Sequence, residues 1–442
     1  MAQRGRQTTL KERIEIGERW EAGQTDPKIA AAMRLSVWTV RKWRRKYQQA
    51  GRSGLASRLG RPPSGALGQF PLEVRDRVRE MRENHSGWGP LTIQTELEND
   101  PYFAGSRLPS LSRIAAFLNE AGFTRPYERH SELPQPQAGK AKRAHQVWEV
   151  DAQGVIDLSS LGSVSLINIS DLFSRLKVDS FPCLDSSHPN RLDYQAVFRR
   201  AFMQYGLPEQ VSLDHDSVFY DNTCVSPYPT TLHLWLVALG IEVRFIERKP
   251  PAEHSVIERT HQTVTQQAIA GQTFADGPAL QESLTHRLDF LNRRFPSRSL
   301  GGQSPLQACP EACHSGRPYR PEWEEAMLDM SQVYNYLAQG RWFRHSTGQG
   351  QFSLGTHRYG VGKNFGKQTL EITFDPQTCE LLCLSEDGSQ QISLPAQGLT
   401  KSDLMGELGP LIALPAYQLA LPFSQAAWRE MILSNDLTGT TL

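Results

Sequence analysis

The chain has 442 residues, 48 Lys+Arg against 47 Asp+Glu and a formal net charge of +1, a length that suggests about three domains. With 39% hydrophobic and 21% charged residues, it holds enough apolar material for ordinary cores, which excludes a collagen-like, wholly disordered or disulfide-stapled chain. No apolar run approaches the ~20 residues that span a bilayer, and sparse cysteines with no apolar leader make a reducing cytoplasm the expected compartment.

Counted by segment, the charge is far from even. Residues 1–145 carry 26 Lys+Arg and 15 Asp+Glu, and the remaining 297 residues carry 22 and 32. The near-neutral total therefore joins a basic part of +11 to an acidic part of −10. Such asymmetry predicts a polyanion-binding N-terminal module.

From Leu10 to Ala22 the apolar positions Leu10, Ile14, Ile16, Trp20 and Ala22 fall at helical spacing, and Gly23 closes the run. Asp26 offers an N-cap with Pro27 at the first helical position, opening a short helix, Lys28–Met33. Ser36 caps a third helix whose Val37, Val40 and Trp43 share one face, while Arg41, Lys42, Arg44, Arg45 and Lys46 line the other. This is a helix-turn-helix layout over residues 1–50, with basic residues placed for phosphates. The segment 51–70 is a basic Gly/Pro linker, in which Arg61 ahead of Pro62 and Pro63 also suits a narrow minor groove. Residues 71–123 form a second helical, helix-turn-helix-like module, and 124–145 a Pro/Gln/Lys-rich linker.

At Gln146 the periodicity changes to strands. QVWEVDAQGVIDLS, GSVSLINISD and KVDSFPCLD read as three strands, followed by a helix, the strand EQVSLDHD, another helix, the strand EVRFIE and a long helix from about Glu253 to Ile269. Three antiparallel strands followed by αβαβα is a ribonuclease H-like order. Within it Asp151 lies on the first strand, Asp214 ends the fourth and Glu258 lies in the last helix, separated by 62 and 43 residues. Three carboxylates converging at strand ends can hold two hard divalent cations ~3.5–4 Å apart, an arrangement for phosphoryl transfer.

VWEVDA, VSLDHDSVF and PPAEHSVIERTHQT resemble the three signature blocks of DDE transposases of the retroviral-integrase superfamily. The resemblance is to bacterial insertion-sequence transposases with N-terminal helix-turn-helix modules, and it runs through NRRFPSRSLGGQSPLQA, which closes a core of residues 146–308. It implies metal-dependent strand cleavage and strand transfer at mobile-element ends, with Asp151, Asp214 and Glu258 holding two Mg²⁺ ions for which Mn²⁺ can substitute. It also implies double-stranded DNA as partner, as element ends and as target, at least a homodimer on DNA, and a cytoplasmic, nucleoid-associated setting in a bacterium. Arg259 and His261 would flank the bound strand end. The family's Asn-Gly after the second Asp is His215-Asp216 here, which leaves Asp214 or Asp216 as the second ligand, with strand phase favouring Asp214. Basic residues expected four and seven positions after the Glu are Gln262 and Thr265, so donor-end contacts fall to residues elsewhere, such as Arg248 and Lys249. Two other readings stay open: a DNA-binding regulator with an inactive core, and a nuclease that cuts without joining.

Residues 309–345 read as a linking helical segment. From Gln351 apolar residues alternate, with a hairpin signal at Asp387-Gly388, so residues 346–400 are expected to close into a small β-barrel. Residues 401–442 form a tail in which GPLIALPAYQLALPF offers a docking segment. The expected architecture is multidomain: N-terminal all-α modules, an α/β ribonuclease H-like core and a C-terminal barrel.

Overall fold

The computed structural model describes residues 8–55, 65–124, 141–184, 188–221, 224–246 and 255–406. The chain divides into two compact units, one of residues 1–75 and 107–124 and the other of residues 76–106 and 125–442.

In the first unit, α1 (Leu10–Glu21) starts in a capping box between Thr9 and Glu12. Next, α2 (Asp26–Met33) has Thr25 rather than Asp26 at its N-cap position, with Pro27 in its first turn. Ser36 accepts a hydrogen bond from the Thr39 backbone and so opens α3 (Val37–Ala50), as its sequence predicts. Ile16, Ile29, Val40, Trp43 and Leu55 form the core of these helices. A Cβ on Gly17 would sit 2.7 Å from the Tyr47 ring, so only glycine allows α1 and α3 to approach this closely. Buried Arg13 bonds Thr8 and the Leu55 carbonyl and stacks 3.9 Å from the Trp43 ring centroid. Further along, α6 (Leu111–Glu120) belongs to the same unit, where Glu120 accepts from the Ala66 backbone at 2.8 Å.

The second unit contains α5 (Pro90–Asn99) and most of α4 (Leu72–Asn84). Its centre is a five-stranded sheet built from β1 (Val147–Leu158), β2 (Gly162–Asp171), β3 (Lys177–Leu184), β4 (Gln210–Leu213) and β5 (Glu242–Phe245), in the order β3-β2-β1-β4-β5. The pairs β1/β2 and β2/β3 are antiparallel, whereas β4 runs parallel to both β1 and β5. The parallel crossings run through α7 (Arg191–Tyr205) and α8 (Thr231–Ala238). Then come α9 (Ser255–Val264), a π-helical turn at Thr265–Ile269 and α10 (Gly277–Arg293). This is the ribonuclease H-like order expected from the sequence.

Beyond it lie α11 (Pro305–Ala308), α12 (Glu324–Met327) and α13 (Met330–Ala338). They lead to β6 (Trp342–His345), β7 (Gln351–Leu354), β8 (His357–Gly360), β9 (Thr369–Asp375), β10 (Glu380–Leu384), β11 (Gln391–Pro395) and α14 (Lys401–Met405). The alternation predicted for this region is present, but the expected barrel is not. Among the described residues, β11-β10-β9-β6 form an open four-stranded sheet and β7-β8 a separate hairpin. The reason is that the sheet's apolar face is covered by another element instead of by itself. Leu370, Ile372, Phe374 and Leu381 join one continuous core with Val333 and Leu337 of α13 and with Trp235 of α8, and Tyr334 lies 5.8 Å from Phe374. A sheet whose apolar face is already buried gains nothing by closing. The apolar segment 409–423 lies outside the described residues.

Candidate active site and nucleic-acid interface

The strand register brings two of the acids side by side. Parallel pairing of β1 with β4 ends at Glu149 opposite Ser212. Asp151 and Asp214 each lie two residues further on, an even step that keeps side chains on the same face, on strands ~4.8 Å apart. Glu258 enters from α9 and is exposed. Burial, then Asp214, Glu258 and Asp216, push the half-buried Asp151 carboxyl up to about 7.

The roles of Asp214 and Asp216 differ in their hydrogen bonds. Asp216 accepts from the Val218 backbone at 2.9 Å and from Ser217 Oγ, capping the turn that follows β4. Its own backbone N–H donates to Asp214 Oδ1 at 3.0 Å. Asp216 is therefore occupied as a turn cap, while Asp214 is held beside Asp151.

The position of α9 rests on residues that the sequence does not flag. Glu149, 2% exposed, shares a strand face with Asp151 and accepts from the Ile257 backbone at 3.1 Å, capping the start of α9. Ser170 and Thr260 share a hydroxyl hydrogen bond of 2.7 Å, and Gln153 donates to Thr265 Oγ1 at 2.7 Å. The even spacing of Glu149 and Asp151 was the available signal, although a charged residue on a strand more often faces solvent. His261 Nε2 lies 3.8 Å from Asp151 Oδ2, and Arg259 is exposed, donating to Gln262.

The donor chemistry suits magnesium, because these candidate ligands are all hard carboxylates. The mutual repulsion that raises Asp151 is what a divalent cation would offset. Among the described residues, however, no group of three or more His, Cys, Asp or Glu side chains is gathered closely enough to hold a metal ion.

On α3 the predicted basic residues are not equivalent. Arg41 and Arg44 both reach Asp26, at 3.4 and 3.2 Å, whereas Lys42, Arg45 and Lys46 are exposed. Lys42 and Lys46 lie over the Trp43 ring at 5.6 and 4.9 Å. Trp38, at the second position of the helix, is 70% exposed with Lys42 5.4 Å from its ring. The helical pattern placed Trp38 off the buried face but gave no reason to single it out. Arg61, Arg248 and Lys249 lie outside the described residues.

Residues 7–56 and 39–118 match two family models, each described as a Homeodomain-like domain. Among solved structures, the chain is similar to the catalytic core domain of BIV integrase, at 16% identity over 38% of this chain and 96% of that one, with a TM-score of 0.29. It is also similar to a chain of the simian T-cell lymphotropic virus intasome in complex with PP2A regulatory subunit B56 gamma (12% identity, 70% and 97% covered, TM-score 0.32). A third is the HTLV-2 integrase catalytic core domain in complex with magnesium (13%, 38% and 98%, TM-score 0.27). Sheet order, rather than these weak superpositions, carries the fold of the core. The chain thus joins Homeodomain-like helices to a core with ribonuclease H-like sheet order.

Proposed function

We propose that the chain is a DNA transposase that cleaves element ends and joins them to target DNA. The observation that supports this reading is the parallel β1–β4 pairing, which runs to within two residues of Asp151 and Asp214, together with the Asp214 and Glu258 charges that add to burial in raising Asp151. Asp151, Asp214 and Glu258 would hold two Mg²⁺ ions. When bound, such ions activate a hydroxyl nucleophile and offset charge on the leaving oxygen. The chain's own contribution is positional. Glu149 and Ser170 hold α9, and Asp216 orders the turn behind Asp214. Arg259 and His261 lie where a strand end would pass, and the cations of α3 supply phosphate contacts. Joining two ends calls for at least two copies of the chain on DNA.

The test is incubation of the full chain with labelled element-end DNA and Mg²⁺ or Mn²⁺, comparing wild type with Asp151→Asn and Glu258→Gln. Joined products that vanish in both variants are the expected result. Cleavage without joining would assign a nuclease, and binding with no cleavage under either metal would assign a regulator with an inactive core.

A further inference from the structure

Between α8, β5 and the segment that enters the C-terminal sheet lies a cavity of about 350 Å³, within the ~300–1,000 Å³ range of small-ligand sites. Its walls are aromatic, with Tyr220 and Phe245 on the core side and Tyr336 and Trp342 from the segment entering the C-terminal sheet. Tyr220 and Phe245 meet edge to face at 5.0 Å, and His215 packs on both, at 4.7 and 5.5 Å. His215, which follows Asp214 in the chain, thus backs two of the rings that line the cavity. Tyr336 is 40% exposed, so part of its ring surface is uncovered.

One polar group interrupts this lining. His233 of α8 is 4% exposed, with the rings of Phe245 and Tyr336 at 5.4 and 5.0 Å, and its Nε2 has no hydrogen-bond partner among the described residues. Burial keeps this imidazole neutral by pushing it down to about 4, so one ring nitrogen can donate and the other accept. Buried polar atoms are nearly always satisfied, and an exception on a cavity wall points to a ligand. At the mouth, Arg341 is largely exposed and spends one N–H on Glu371 at 3.1 Å, leaving others of its five donors.

Flat apolar walls, one hydrogen-bonding edge and a cation at the entrance match the three parts of a nucleotide. Base–aromatic stacking tolerates any base, and a base must leave its duplex to be received this way. A bare phosphate would not need the rings, and a purely apolar ligand would leave Nε2 unmet. We propose that this cavity receives one unpaired nucleobase of a bound DNA strand. The inference rests on the reading that the chain binds DNA.

The experiment uses the full chain without divalent metal and two probes of the same sequence. One is a duplex with a three-nucleotide single-stranded overhang carrying 2-aminopurine, and the other is a blunt duplex. The overhang probe is expected to bind about tenfold more tightly than the blunt one, with quenching of 2-aminopurine fluorescence as the base stacks. Tyr336→Ala and His233→Leu should lose the overhang advantage and the quench, and Tyr336→Phe should keep both. Equal binding of the two probes without quenching overturns the proposal while leaving DNA binding intact. A quench that survives Tyr336→Ala overturns it too. Failure to bind either probe overturns both this inference and the transposase reading. Since Tyr336 is partly exposed, its variants keep the test decisive even where His233→Leu does not fold.

Discussion

Arginine and lysine do opposite work in the two units. On α3 the cations stand in water: Arg45 and Lys46 are exposed, and Arg41 reaches Asp26 from a side chain that is itself 58% exposed. In the second unit, Arg199 and Glu324 are both fully buried and joined by two hydrogen bonds of 2.6 and 2.7 Å. Trp235 Nε1 donates to the same carboxylate at 2.9 Å, the Tyr319 hydroxyl bonds it as well, and Arg199 also reaches the Met405 carbonyl. Arg287 is similarly locked, between Glu96, Gln267 and the faces of Trp88 and Phe290. An exposed cation costs little to leave unpaired and remains available to a phosphate, whereas a buried one is tied to a specific partner. The first arrangement favours binding and the second fixes geometry.

The sharpest way to break the contrast is Glu324→Ala. It strands the Arg199 charge in the core and should cost roughly 3–5 kcal/mol in a denaturant titration. The double change Arg199→Met/Glu324→Leu should recover most of that loss, since apolar residues can replace a buried pair at little cost. A stable Glu324→Ala variant would mean that water reaches Arg199.

Asp151 carries the next effect, through pH. Its folded-state pKa of about 7 lies above the ordinary 3.8. Its contribution to stability is therefore fully present below about pH 4 and is lost as pH rises through 7. In metal-free buffer, the Tm of wild type relative to Asp151→Asn should fall between pH 4 and 7 and then level off. A flat difference would show that neither burial nor the neighbouring acids raise Asp151. Smaller again, Arg45→Ala should weaken duplex binding evenly across sequences and reduce the slope of log K against log salt by about 1, as for one lost phosphate contact. Least of all, Arg143→Ala removes a pair with Glu209 in which both side chains are well exposed. It should change stability by less than ~1 kcal/mol in the same titration.

Much of the fold was legible because its signals are local. Ser36 as a cap, Pro27 in the first turn of α2 and the 2-residue period of β9 depend on neighbours within a few positions. The bounds of β2 match its sequence reading residue for residue. The candidate site was legible only in outline, since spacing placed Asp151, Asp214 and Glu258 on named elements. It did not reveal Glu149 as the cap of α9, the exposed Trp38, or the cavity lined by His233 and Tyr336. Alternation along β9 and β10 predicted strands correctly, but it is identical for a closed barrel and for a sheet covered by α13.

By itself, then, the sequence determined the element order, the Ser36 cap of α3, the strand faces and the separation of a basic N-terminal part from an acidic remainder. Tertiary structure alone decided what holds α9, which arginines are locked, and what covers the C-terminal sheet. The division has a physical cause. Periodicity and capping are set by backbone geometry over a turn or two. The pairing of Arg199 with Glu324 across 125 residues, or of Trp88 with the Gln267 carbonyl across 179, depends on how whole side-chain volumes fill one shared interior.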